Sequence, residues 1–121
     1  MDTSIFLPYI DVDDGLNRLM KNKKLYAKLV KSFIGTAAGL MQEIDDALAA
    51  SNTAVALDRV HTLKGAAANL SYKKIHEDCV ALELDLKGTG ANASALHSAL
   101  KSDYDFSMSM SDMLLPDLEA E

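Results

Sequence analysis

Apolar residues recur every three or four positions through most of this chain, and strand-like alternation is missing. From Lys23 to Ala50, KKLYAKLVKSFIGTAAGLMQEIDDALAA puts Leu25, Leu29, Phe33, Ala37, Leu40, Ile44 and Leu48 on one stripe, which predicts an amphipathic helix about 40 Å long. Ahead of it, an arm over 1–10 leads into DVDDGLNRLM at 11–20, a short aspartate-capped helix that Asn22 is expected to stop. Ser51-Asn52 breaks the long helix, and Asn52 or Thr53 can cap a third segment with Ala56, Val60, Leu63, Ala67 and Leu70 on its inner side. After a turn at Ser71-Tyr72, the fourth segment buries Ile75, Cys79, Leu82 and Leu86, and Gly88 reads as its C-terminal cap. GTGAN is then a loop with Asn92 as the next N-cap. The last helix, with Leu96, Leu100, Met110 and Leu114 inward and an awkward SMSMS stretch, is expected to end before Pro116, leaving an acidic tail over 115–121.

Four amphipathic helices with short links predict an all-α fold: an antiparallel up-and-down four-helix bundle over 23–114, with the short additional N-terminal helix across one end. At 121 residues the chain suits one domain with a continuous core. Cys79 is the only cysteine, so an intrachain disulfide is impossible and a reducing, cytoplasmic setting is expected. The formal net charge of -6 disfavours nucleic acid and anionic membrane as main partners. Apolar runs fall short of the ~18 residues needed to span a bilayer, so membrane insertion is not expected.

One stretch does not serve stability alone. HTLKGAAANL, at 61–70, carries a glycine inside a helical pattern, at a cost of about 1 kcal/mol relative to alanine. At 100° per residue, His61 sits roughly 130° from the middle of the inner stripe, so its ring is expected in solvent. It shares that face with Leu57, Asp58, Lys64, Gly65 and Ala68. An imidazole with a reference pKa of about 6.5 is mostly neutral at pH 7 and nucleophilic. Lys64, three residues on, would favour the neutral ring and offset the charge of an acquired phosphoryl group. Gly65 and Ala68 keep the surface beside the ring low, so another protein could approach closely.

These residues resemble the signature of histidine-containing phosphotransfer (HPt) domains of bacterial phosphorelays, a histidine followed by x-Leu-Lys-Gly and small residues: here His61-Thr62-Leu63-Lys64-Gly65-Ala66-Ala67-Ala68. The likeness extends to IDVDDGLNRLMKNKKLYAKLVKSF, similar to that family's first helix, turn and second-helix start, and to CVALELDLKG, similar to its Leu-Glu-bearing fourth segment. Ser71 departs from the pattern, since family members often have glycine after the helix-end leucine. The resemblance implies a bundle without autonomous catalytic activity whose histidine takes a phosphoryl group from a receiver aspartate or histidine kinase and passes it to a receiver aspartate. Carried over by position, His61 is the phospho-acceptor and Lys64 its charge partner, and Leu57, Gly65 and Ala68 form the approach surface. The implied partners are response-regulator receiver domains and a histidine or hybrid kinase. No cofactor is expected on this chain, because the receiver supplies the divalent cation.

Other chemistry-bearing residues have plainer readings. His76 and Cys79 are three apart, but Cys79 lies in the apolar stripe and nothing completes a metal set. Asp58-x-x-His61 is half of a carboxylate-bridged metal motif that needs two helices. His97 reads as a surface residue without a partner, Met108, Met110 and Met113 as core filler, and Asn92-Ala93-Ser94 as a helix cap rather than a glycosylation acceptor. Two competing functions remain: an inert helical adaptor, and a metal-dependent bundle enzyme. Met1 and the tail ending at Glu121 point to an expected free-standing protein rather than an excised domain, and a monomer is the default expectation.

Overall fold

A computed structural model describes residues 1–120. A 3-10 turn at Thr3–Phe6 is followed by α1 (Val12–Arg18), α2 (Lys23–Ala49), α3 (Thr53–Asn69), α4 (Lys73–Lys87) and α5 (Ala93–Glu119), with no strand among the described residues. The four long helices pack in the cyclic order α2, α3, α4, α5. Contacts pair neighbouring helices in reverse order along the chain. On α2 and α3, Tyr26 reaches Leu70 while Glu43 pairs with Arg59; on α4 and its N-cap against α5, Tyr72 meets Ser111 and Asp78 meets Asp103.

The expected stripes supply most of the core. Phe33, Ala37, Leu40 and Ile44 of α2, all five stripe residues of α3, and Ile75, Cys79, Leu82 and Leu86 of α4 are buried. Leu25 is a correction: it is 39% exposed, while Tyr26 and Val30 are fully buried. The inward arc of α2 is rotated because Tyr26 donates a 2.6 Å hydrogen bond to the Leu70 carbonyl and fills the space beneath α1. A Cβ on Gly15 would stand 2.5 Å from the Tyr26 hydroxyl oxygen, so α1 approaches closely only because that residue has no side chain.

Two boundaries and one cap also differ from expectation. Asn22 does not stop α1; its side chain accepts the Leu25 N–H and caps the start of α2, while Met20 and Lys21 make the turn with positive φ. Asn52 caps α3 in the same way, but Asn92, though at the N-cap of α5, makes no side-chain cap bond. Most clearly, α5 does not end before Pro116 but runs through it to Glu119. Proline removes one donor and crowds the preceding turn, yet Leu114 and Leu118 on either side are fully buried, and Lys31 of α2 holds Glu119 at 3.1 Å. Residues 115–119 of the expected tail are therefore helical and docked; Glu121 lies outside the described residues.

In the helical SMSMS stretch Ser107 and Ser111 face inward while Ser109 is exposed; Met108 and Met110 are half-buried against the core, and Met113, expected as core filler, is 53% exposed. Ser107 and Ser111 are fully buried and return their hydroxyls to the Asp103 and Ser107 carbonyls, and Tyr72 meets Ser111 through its hydroxyl. Ser71 takes the left-handed conformation, φ 60°, that glycine adopts at lower cost. Its hydroxyl bonds Asp14 at 2.5 Å and its carbonyl accepts from Asp11, so the α3–α4 turn is tied to α1.

Candidate functional site

Asn52 starts α3 and its inner stripe sets the rotation, so the geometry of the opposite face follows. The His61 side chain is 69% exposed, as its angle predicts. It is not isolated. Its Nδ1 lies 2.8 Å from Glu83 Oε2 on α4, and Lys64 Nζ lies 2.7 Å from the other carboxylate oxygen, Oε1. Lys87, one turn beyond Glu83, stands 3.7 Å from Oε1. One carboxylate thus bridges the histidine and the lysine that are three residues apart on α3.

Glu83 is the member of this cluster that angular reading of α3 alone misses. It is 8% exposed and sits four residues after Cys79 and three before Leu86, both core positions. A carboxylate at such a position requires compensation, because an unpaired buried charge costs several kcal/mol. That was the available signal: an acid in an apolar seam points to a cation or donor on the neighbouring helix. Lys64 supplies the main compensation and His61 the next, and together with Lys87 they hold the Glu83 carboxyl below the usual carboxylate range. Glu83 is therefore an acceptor at neutral pH. Its partner nitrogen on His61 must carry the hydrogen, which leaves the lone pair on Nε2, the nitrogen turned away from Glu83.

The remaining candidates take separate places. Gly65 is exposed, and a Cβ built there meets nothing within 4 Å. Among the described residues no contact requires glycine there, so its cost to the helix is not explained by packing. Leu57 and Ala68 are half-buried on the flank of α3 that turns toward α4. Asp58 does not join His61; it pairs with Arg59, which also reaches Glu43 on α2. His97 is a correction. Far from lacking a partner, its Nε2 meets Asp45 of α2 at 2.5 Å, and its side chain is only 19% exposed. Among the described residues, no group of three or more His, Cys, Asp or Glu is arranged to hold a metal ion. Cys79 is fully buried, and burial pushes its thiol up to about 12.

The chain matches the family model of the Hpt domain over residues 28–106, a stretch that spans α3 and α4 and includes both His61 and Glu83. It belongs to the Hpt domain family. No curated protein and no solved structure matches it. As an Hpt domain it has a phosphotransfer role in two-component signalling, a relay in which such domains act as carriers and interact with kinases and receiver domains. Among the described residues, no helix is long and apolar enough to cross a membrane.

Proposed function

We propose that this Hpt domain is a phosphorelay intermediate in which His61 Nε2 accepts a phosphoryl group from a receiver aspartate or histidine kinase and returns it to a receiver aspartate. The observation that carries the reading is the pairing of an exposed imidazole with a buried, ionised carboxylate on its other nitrogen. Nε2 attacks the phosphorus of an aspartyl phosphate; the P–N bond forms as the P–O bond breaks, and the partner's carboxylate leaves with the electron pair. The imidazole gains positive charge while Nδ1 keeps its hydrogen, and Glu83 stabilises that charge through a charge-assisted hydrogen bond. Transfer onward reverses these steps.

Lys64 enters this chemistry through Glu83. Its ammonium keeps the carboxylate ionised and fixed in place, and its charge lies on the face where the phosphoryl group arrives. The partner receiver contributes the aspartate and a divalent cation, so this chain supplies a positioned nucleophile and a low surface rather than a complete catalytic site. Gly65 provides the clearance, with Leu57 and Ala68 at the edge of the covered area. The molecule acts as a monomer in the cytoplasm.

Labelling by a phosphorylated receiver domain is expected to yield an acid-labile, base-stable phosphate, lost in His61→Gln with the helical circular dichroism unchanged. Labelling that survives in His61→Gln rejects the assignment. It would move attention to His76 or His97, although His97 already spends Nε2 on Asp45.

A further inference from the structure

No acid occurs between Asp14 and Glu43, yet Arg18, Lys21, Lys23, Lys24, Lys28 and Lys31, half of the chain's 12 basic residues, fall within that stretch. In a chain with 18 acids this segregation works against stability. Lys23 and Lys24 open α2, at the positive end of the helix dipole, and no acid stands in its first turn. Lys24, Lys28 and Lys31, spaced by four and three, share one ridge of α2 and repel one another. Lys31 is relieved by Glu119 at 3.1 Å, while Lys24 and Lys28 are exposed with no ion-pair partner among the described residues. As at Gly65, a local cost is left that no contact among the described residues offsets.

These three lysines line an open cleft of about 270 Å³ between α2 and α5, together with Ala27 of α2 and Glu119 of α5. Ala27 is 3% exposed, so a small, nearly buried side chain forms the floor and leaves the space above it unfilled. The ridge from Lys24 to Lys31 runs about 10 Å along the helix, so its charges suit a chain of anionic groups better than a single small ion. Glu119 opposes such a ligand and already holds Lys31, which leaves Lys24 and Lys28 as the charges available at the cleft. The same residue argues against a flat anionic surface. Such a surface would meet Glu119 and the exposed Asp117 along with the lysines, whereas a narrow anion enters between the two helices.

We infer that the α2–α5 cleft binds a soluble polyanion carrying two or more linked phosphoryl groups, held by Lys24 and Lys28 with Lys31 at its far end. The cleft is separate from His61: it lies where α2 meets α5, whereas His61 is on α3 and pairs with α4. Its occupation needs no transfer chemistry at the histidine, so it stands independently of the phosphorelay reading. Bound phosphates take up charge-assisted hydrogen bonds that the lysines do not make within the chain, and they join the start of α2 to the end of α5. A ligand that binds only the folded chain in this way stabilises it by linkage.

The test titrates the full chain with sodium tripolyphosphate at low ionic strength and follows the backbone amides by heteronuclear NMR. Saturable shifts are expected over residues 24–31 and around Glu119, together with a rise in melting temperature. Lys24→Ala/Lys28→Ala should weaken binding about tenfold or more. Without ligand it should melt at or above wild type, because alanine is the better helix former and the repulsion is gone. Glu119→Gln should bind several-fold more tightly. Lys73→Ala/Lys74→Ala removes two lysines of α4 outside the cleft and should bind within about twofold of wild type. Absence of saturable shifts overturns the inference. So does an equal loss in the Lys73→Ala/Lys74→Ala variant, which would reduce binding to unspecific attraction. Wild type that sediments with cardiolipin vesicles but shows no shift with tripolyphosphate also overturns it, and assigns the lysines to a membrane surface.

Discussion

His61 and Glu83 lie on different helices, 22 residues apart in the chain, and meet at 2.8 Å between Nδ1 and Oε2. This contact determines which imidazole nitrogen is free and, in the proposed relay, would supply the counter-charge for a phosphorylated ring. Lys64, on the other carboxylate oxygen, makes the arrangement affordable in a nearly buried position.

Glu83→Gln keeps an oxygen able to accept the Nδ1–H but removes the charge. The loss of about 1–2 kcal/mol of charge-assisted stabilisation is expected to slow single-turnover transfer by tenfold or somewhat more, with the helical fold retained. Rapid-quench transfer from a phosphorylated receiver reads this directly. Because the folded-state carboxyl is held low, the wild-type contribution of Glu83 is present above the ordinary glutamate value of 4.5 and is lost as pH falls through its lower folded value.

Gly65 separates stability from function. A Cβ at that position meets nothing within 4 Å, so Gly65→Ala is expected to raise stability by about 0.5–1 kcal/mol through helix propensity. Gly65→Gln fills the space beside His61 and should slow receiver transfer while the melting temperature stays at or above wild type. Unchanged transfer in Gly65→Gln would remove clearance as the reason for the glycine.

Asp78 on α4 faces Asp103 on α5, and its Oδ2 is buried without a hydrogen-bond partner. Burial, then the neighbouring Asp103, raises the Asp78 carboxyl from 3.8 to about 7, against the opposing charge of Lys74. The native state holds a proton that the unfolded chain releases, so this pair's contribution to stability declines as pH rises from about 4 and is gone above about 7. Asp78→Asn should therefore melt several degrees higher than wild type at pH 8, with a smaller difference at pH 5.5. Thermal scans at the two pH values provide the comparison.

Tyr72 is fully buried, with its ring 4.6 Å from that of Phe33 and its hydroxyl on Ser111. Tyr72→Phe keeps the ring and removes the hydrogen bond, leaving Ser111 bonded to the Ser107 carbonyl. A loss of about 1 kcal/mol is expected in denaturant unfolding. Ser111→Ala strands the buried Tyr72 hydroxyl and should cost more, about 1–3 kcal/mol.

Where apolar spacing was regular, the helices could be read directly. The stripe of α3 was complete, and because it set the rotation of that helix, the exposure of His61 and Gly65 followed from the same pattern. Spacing failed where a local signal had two meanings. Asn22 can end one helix or cap the next, and it caps α2 because Met20 and Lys21 had already turned the chain. Pro116 normally ends a helix, but burial of Leu118 and the Lys31–Glu119 pair outweigh the donor it lacks. His97 gave no local hint of Asp45, since that carboxylate comes from a helix 52 residues away.

The sequence by itself determined which helix face holds the bundle and which carries the exposed His61, because both follow from residue identity at 3.6 residues per turn. Tertiary structure alone decided the partners of His61 and the pairing between α4 and α5. Helix periodicity specifies direction around one axis but not the rotation of a neighbouring helix, so only packing of α3 against α4 brings Glu83 to Nδ1, leaves Nε2 free, and recruits Lys64 to the same carboxylate.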